Sequence, residues 1–574
     1  MISPMVDGLD VCPSALEQGI TSQSVAAEYC LEVNETAAEL LESKLAEFGP
    51  EISPDGKFSM GYTLPFPLLS YANINEDGSF TIDKIRVAHR IKLLQETNRG
   101  VVVYLFSNHF SASYNATVED KVAQLEPGSL MQLADGTVPV DGYFSNKTYP
   151  WMINEPDTLV NKIRVAAIDE VMAQLCELDS VDSDKIRAVT VLGELHHIYP
   201  DFFNGMGFKT NYLTTDYSPA AVTRFQEYLK EEYGNIQNLN QRFDASFSGF
   251  SEIHPPSKNI NNEALDNFFQ HVDYASSGML TLHGWAARKD GKPVDIKIYL
   301  DGQFVGNAEY GLNRMDVYQA KPEFGHAAVG YRYLLDIKEL KEGIHTVDIV
   351  YDNNGRQSLL KTLDVPVVGR DQRAPERISD GLTLEKERKL DYWHDYPASM
   401  QPVFYNPLSQ AFYEFRKKGV VDELERYARQ AGSFCIAKDK VFSHQIAPIF
   451  NSDWNEEKLA VSGTFDKNKN YHLGFNAYGA AFYSDYTFSW LQQQGAERYG
   501  MPEVHTMLDD DELIAGAFNR HNQQGAVFIS PYYVEMKPDT FREDKEHARF
   551  KIEDGNREYY SDSLFKAITA VMDQ

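Results

Sequence analysis

The feature that most constrains this chain is the order in which strand-like and helix-like text follow one another. FSMGYTLPF (58–66) reads as a strand, DKIRVAHRIKLLQETNRG (83–100) as a helix closed by glycine, and VVVYLFSNHFS (101–111) as a buried strand ending in polar groups. EPDTLVNKIRVAAIDEVMAQLCEL (155–178) then reads as a helix, and RAVTVLGEL as the strand it feeds. Parallel neighbours need a long crossover to return the chain to the same edge, so this alternation predicts a parallel sheet. Upstream, residues 24–47 read as one helix closed by Gly49 and Pro50.

The alternation is interrupted once. From Met279 to Val368 the text becomes short alternating strands (MLTLHGWA, DIKIYLDGQFVG, GYRYLLDI, HTVDIVYDNNG, KTLDVPVV), with Asp301-Gly302 and Asn354-Gly355 as hairpin dipeptides. The polar stretch 367–381 reads as a linker back to helical text that opens at DYWHDY. Strand-like pieces then resume near 433, 470, 499 and 526, separated by the helical segments 485–495 and 509–525, with a last helix at 561–574. Seven parallel strands are counted in this way, and a closed barrel of this kind takes eight, so the first is sought in residues 1–23. The expected class is α/β. A (β/α)₈ TIM barrel over 1–275 and 371–574 is interrupted by an all-β, immunoglobulin-like sandwich over 276–370.

Composition narrows the partners. Fifty-four basic against 84 acidic residues give a net charge of −30, which argues against nucleic acid or an anionic membrane as partner, although a local basic site for a sulfated or carboxylated ligand stays open. No apolar run has the length of a membrane span. The opening MISPMVDGLD has no basic region followed by an apolar one, so the sequence as given reads as cytoplasmic, or as a periplasmic or secreted form with its leader removed. Cys12, Cys30, Cys176 and Cys435 have no zinc-site spacing; Cys12 and Cys30 are near enough to bond, with two buried thiols the favoured alternative.

The chemistry concentrates in VTVLGELHHIYPDFF (189–203), where an aliphatic strand breaks at Gly193 and presents Glu194 beside His196, His197 and Tyr199. DYSPAAVTRFQEYLKEEYGNIQNLNQRF (216–243) follows as a helix with Pro219 in its first turn and a second helix opening near Asn235. A second acid, Glu503, ends the predicted seventh strand in YGMPEVHTM. Asn108 and His109, His444, Asn476, Tyr478 and His505 also stand at strand ends as candidate ligand-binding polar groups, and Trp151 and Tyr199 offer flat rings on which a ligand could stack. The pair His196-His197 has no third ligand at workable spacing, so no metal is expected.

This constellation resembles the family 42 glycoside hydrolases, the β-galactosidases of a clan of (β/α)₈ barrel enzymes, over about 58–265 and 382–570, most specifically over 186–256, which ends in His254-Pro255-Pro256. The resemblance implies hydrolysis of β-galactosidic or related bonds in an oligo- or polysaccharide such as a marine or plant galactan. It makes Glu194 the acid/base and Glu503 the nucleophile of a retaining mechanism, and needs no cofactor. One departure stands out: the family places Asn before its acid/base, and here Gly193 holds that position. Gly-Glu-Leu before Tyr-Pro is also reminiscent of the inverting β-amylases. Other glycan specificity with inversion, or a non-catalytic carbohydrate-binding barrel, are the alternatives, and homo-oligomerisation is left open.

Overall fold

A computed structural model describes residues 1–107, 117–143, 146–197, 206–208, 211–467, 469–537, 541 and 546–574. The protein is a mixed α/β chain. Its parallel strands are β1 (Val6–Asp7), β2 (Tyr62–Pro67), β3 (Val101–Phe106) and β4 (Ile186–Leu192), in the first half of the chain. β1 begins the set where residues 1–23 were searched. It was hidden because residues 2–5 pair only through single bridges and Ser3-Pro4 breaks the apolar run.

The middle of the chain forms antiparallel strands: β5 (Met279–Ala287), β6 (Asp295–Leu300), β7 (Gln303–Asn307), β8 (Glu309–Asn313), β9 (Ala328–Asp336), β10 (Gly343–Asn353), β11 (Arg356–Val367) and β12 (Asp391–Tyr396). They make two four-stranded sheets, ordered β7-β6-β10-β11 and β8-β9-β5-β12. Leu282, Ile298, Tyr331, Val347 and Val365 fill one core shared by the two. β12 corrects the reading of DYWHDY as helical text: it alternates, with Tyr392 against the core and Trp393 outward, and pairs with β5 as an edge strand.

Parallel pairing resumes with β13 (Val441–Ser443), β14 (Leu473–Gly474), β15 (Ala477–Tyr478), β16 (Tyr499–His505), β17 (Ala526–Pro531) and β18 (Val534–Glu535). β2, β3, β4 and β13 pair in that order, and the bridges Phe442↔His472 and Gln445↔Phe475 carry the pairing on to β14 and β15. β14 and β15 both pair with β16, and β16 with β17. Ile2 bridges both Ile529 and Met60, so the parallel pairings return to β2. Leu64, Val103, Val191, Met501 and Ile529, one from each of five strands, belong to a single apolar core.

Helices α1 (Lys84–Glu96), α2 (Leu159–Leu175), α3 (Pro219–Tyr233) and α4 (Ile236–Phe243) stand where the sequence placed them. Ser218 caps α3 by accepting from the Ala221 amide, and Asn235 caps α4 by accepting from Asn238. The expected single helix over 24–47 is instead two, Gln23–Glu32 and Ala38–Ala46, broken where Asn34 takes a left-handed φ of 54°. All four cysteines are bonded, Cys12 to Cys30 and Cys176 to Cys435. The favoured reading of Cys12 and Cys30 as free thiols is thereby corrected. Among the described residues no helix is long and apolar enough to cross a membrane.

Candidate active site

Glu194 is delivered by a backbone reversal at the end of β4. Leu192 takes φ 62° and Gly193 φ 96°, and the Gly193 amide donates back to the Val191 carbonyl at 2.8 Å. A positive φ costs a branched residue such as Leu192 conformational energy, so the rest of the strand must hold this turn in place. Glu503 sits at an irregularity of its own. Pro502 has no amide to give, and the pairing of β16 with β17 jumps from Met501↔Ile529 to Val504↔Pro531, leaving Glu503 outside the regular ladder.

Between them, β13 and β14 approach unusually closely. A Cβ on Gly474 would stand 1.8 Å from the Ser443 carbonyl oxygen, and Ser443 Oγ both donates to the Gly474 carbonyl and accepts from its amide, each at 2.9 Å. Only glycine permits this approach. It fixes His444, the residue after Ser443, and Asn476, two residues past Gly474, whose amide donates to the Gln445 carbonyl at 2.9 Å.

The side chains then converge. Asn476 Nδ2 donates to Glu194 Oε1 at 2.7 Å. Glu503 accepts from the Tyr478 hydroxyl on Oε1, and His444 Nε2 stands 3.4 Å from its Oε2. The His444 ring is stacked on Tyr104, with centroids 4.3 Å apart. Glu194 and Glu503 both keep part of their surface open while His444 and Tyr104 are buried.

The electrostatics act on Glu194. Burial, and after it the charge of Glu503, push the Glu194 carboxyl up to about 8, against the donation from Asn476. Burial thus favours the protonated form of Glu194, the form that can donate a proton. Tyr104 is pushed far above the usual phenol range by burial first and then by Glu503 and Glu194, so it stays neutral.

Of the residues named from sequence, the structure brings Glu194, Glu503, His444, Asn476 and Tyr478 together. Asn108, His109 and Tyr199 lie outside the described residues. His196 is fully buried beside Glu194 in the chain. Trp151 does not reach the cleft: it is 1% exposed and stacked on Tyr149 with centroids 5.4 Å apart, because its neighbours Leu69, Val122 and Ile163 form an apolar cluster that absorbs the indole. His505 is also corrected. It is buried and fixed by Ser561 at 3.1 Å and by the Met507 amide, and burial lowers it to about 3, so it is a neutral packing residue.

Tyr104 was not picked out from sequence; its one signal is a hydroxyl inside the otherwise apolar run VVVYLF. Beneath the end of β3, Arg164 donates to Ser107 Oγ at 2.8 Å and to Asn161 Oδ1 at 2.9 Å, bracing the strand that carries Tyr104. Among the described residues no cluster of three or more His, Cys, Asp or Glu could hold a metal.

Comparison with known proteins gives one family match, to a family described as Beta-galactosidase, over residues 207–288. The matched segment holds α3 and α4 and ends after β5; Glu194 and Glu503 lie outside it. No curated protein matches in sequence. Among solved structures, the catalytic domain of β-amylase from Paenibacillus polymyxa aligns at 9% identity and TM-score 0.43, over 89% of this chain and 92% of that one. A β-galactosidase from the haloarchaeon Halorubrum lacusprofundi aligns at 10% identity and TM-score 0.38, over 83% and 52%. The β-galactosidase from Marinomonas ef1 aligns at 13% identity and TM-score 0.26, over 40% and 28%. On the family match, the chain is similar to the family 42 glycoside hydrolases.

Proposed function

We propose that the protein is a glycoside hydrolase that cleaves β-galactosidic or related bonds in an oligo- or polysaccharide by a retaining, two-carboxylate mechanism. The observation that carries this reading is the convergence of two half-buried strand-end carboxylates, Glu194 held by Asn476 and Glu503 held by Tyr478 and His444. Glu194 protonates the glycosidic oxygen as the bond to the leaving group breaks, and Glu503 attacks the anomeric carbon to give a covalent glycosyl-enzyme. Glu194, now ionised, takes a proton from water, which attacks the same carbon and releases Glu503. Tyr478 and His444 hold the two oxygens of Glu503 in line, and Asn476 orients Glu194.

The returning set of parallel pairings supports a (β/α)₈ barrel as the catalytic frame, with both acids where its strands end. The two antiparallel sheets around one core support an inserted sandwich, expected at 276–370. The pairing of β12 with β5 favours drawing the return after Tyr396. The two disulfides favour an oxidising compartment, periplasmic or extracellular.

The test is time-resolved NMR of the products from a panel of algal, plant and mammalian galactosides. Release of the β-anomer first supports retention. Release of the α-anomer would make the enzyme inverting, and no hydrolysis of any glycoside by the wild type, with the fold intact, would sink the reading.

A further inference from the structure

Away from Glu194 and Glu503, the antiparallel region carries an aromatic surface that ends in an exposed indole. Trp393 lies on edge strand β12 and is 63% exposed. Its cross-strand partner is Trp285 of β5, so the two indoles stand on the same face of the sheet. Phe324 extends the surface, with its ring centroid 5.9 Å from Trp285, and Lys321 lies over both rings at 5.3 and 5.2 Å. The opposite face of these strands already fills the shared core through Leu282, Ala286 and Tyr392. Trp393 is therefore not needed for that core, and leaving most of an indole in water forfeits much of its apolar contribution.

The same two strands lead into an open cleft of about 750 Å³. On a chain of net charge −30 its lining is cationic. Asp290 is held by Arg288 through bonds of 2.7 and 2.8 Å, and Glu387 accepts from the amides of Arg388 and Lys389 at 2.9 and 2.6 Å. Lys289, Arg356, Lys386, Arg388 and Lys389 make no ion pair among the described residues, leaving five cations to face the two carboxylates of Glu385 and Glu387. Like charges gathered in this way repel one another until an anion joins them.

This face also reaches the catalytic side. Helix α5 (Met315–Ala320), whose Val317 clusters with Ala287 and Trp285, places the Tyr318 hydroxyl 3.5 Å from the amide of Asp509, in the loop that follows Glu503. A ligand long enough to use the indoles, the cations and the cleft at Glu503 is a polymer with flat apolar faces and anionic groups.

We infer that Trp393, Trp285 and the adjoining cationic cleft form a second site that binds an anionic polysaccharide, its sugar faces on the indoles and its sulfate or carboxylate groups on the cations. The site rests on the glycosidase reading and serves it by holding the substrate chain near the catalytic cleft. It is tested by calorimetric titration of full-length protein carrying Glu503→Gln, so that binding is read without turnover. The probes are a sulfated galactan, polygalacturonate, the desulfated galactan and a single-stranded oligonucleotide.

The expected result is binding of at least one anionic polysaccharide, with the sulfated and carboxylated arms identifying the anion, and affinity for the desulfated polymer lower by about tenfold or more. Trp393→Ala and, separately, the triple change Lys386→Ser, Arg388→Ser, Lys389→Ser should each weaken binding by about tenfold, while Trp393→Tyr keeps a flat ring and most of the affinity. In the otherwise wild-type chain these variants should hydrolyse a small aryl galactoside within about twofold of the parent, because none of these residues contacts Glu194, Glu503 or the side chains that hold them. Equal affinity for neutral and anionic polymers, no effect of either variant, or tighter binding of the oligonucleotide would overturn the inference. A wild type that hydrolyses glycosides while the Glu503→Gln protein binds no anionic polysaccharide would refute only the second site, whereas an inactive wild type that still binds anionic polymer would refute only the catalytic reading.

Discussion

Replacing Asn476 by Ala should move the pH dependence of the enzyme upward. Asn476 Nδ2 donates to Glu194 Oε1 at 2.7 Å, and that bond is the one influence that lowers the Glu194 carboxyl against burial and the Glu503 charge, which together push it up to about 8. A hydrogen bond to a charged group contributes about 1.5–3 kcal/mol, equivalent to about one to two pH units. Glu194 keeps part of its surface open, so water replaces some of the lost donation and a rise of about one unit is expected. The sign follows from the role. As proton donor, Glu194 is active while protonated, so the alkaline limb of kcat/KM should shift to higher pH even as the plateau falls. The assay is kcat/KM against pH with a glycoside whose leaving group needs protonation. An unmoved limb, or one displaced to lower pH, would refute both the role of Glu194 and the direction of the Asn476 bond.

Three further outcomes follow from the same structure. Because the folded state raises Glu194 from 4.5 to about 8, its contribution to stability is full below 4.5 and is lost as pH rises through that window; Glu194→Gln should therefore gain in melting temperature over the wild type between these pH values and level off above them. Cys435→Ser opens a bond between residues 259 apart and should cost about 2–5 kcal/mol in denaturant unfolding, with no free thiol detected in the native wild type. Arg332 of β9 is buried and joins Glu309 at 2.9 Å and Glu456 at 3.1 Å; Arg332→Met should cost about 3–5 kcal/mol, less in acid, where Glu456 can be neutralised.

Most of the parallel strands were legible because they are continuous β-branched runs such as VVVYLF, which bury both faces and admit few other readings. β1 was not, since it is only two residues long and the stretch before it, with Ser3 and Pro4, pairs only through the isolated bridges of Ile2 and Met5. β12 was obscured by its polar edge-strand alternation, in which DYWHDY buries only every second residue on the shared core. At the site, Glu194 and Glu503 were singled out by the strand-helix register and by the text flanking Glu194, since a lone acid at a strand end is more often a solvated loop residue or an ion-pair partner. Trp151 and His505 were misread because residue type does not reveal exposure: an apolar cluster claimed one and Ser561 the other. The bond between Cys176 and Cys435 joins parts of the chain that only the fold brings together, so no local spacing announces it.

The central claim, that Glu503 attacks the sugar and Glu194 supplies the proton, is tested most directly by trapping the intermediate. A galactoside with fluorine at C2 and an activated leaving group is attacked normally, while the fluorine slows both steps and the good leaving group restores the first, so the glycosyl-enzyme accumulates. Peptide mapping by mass spectrometry should then find one sugar per chain, on Glu503. Label on Glu194 or on any other carboxylate, or hydrolysis with inversion and no covalent species, would contradict the account.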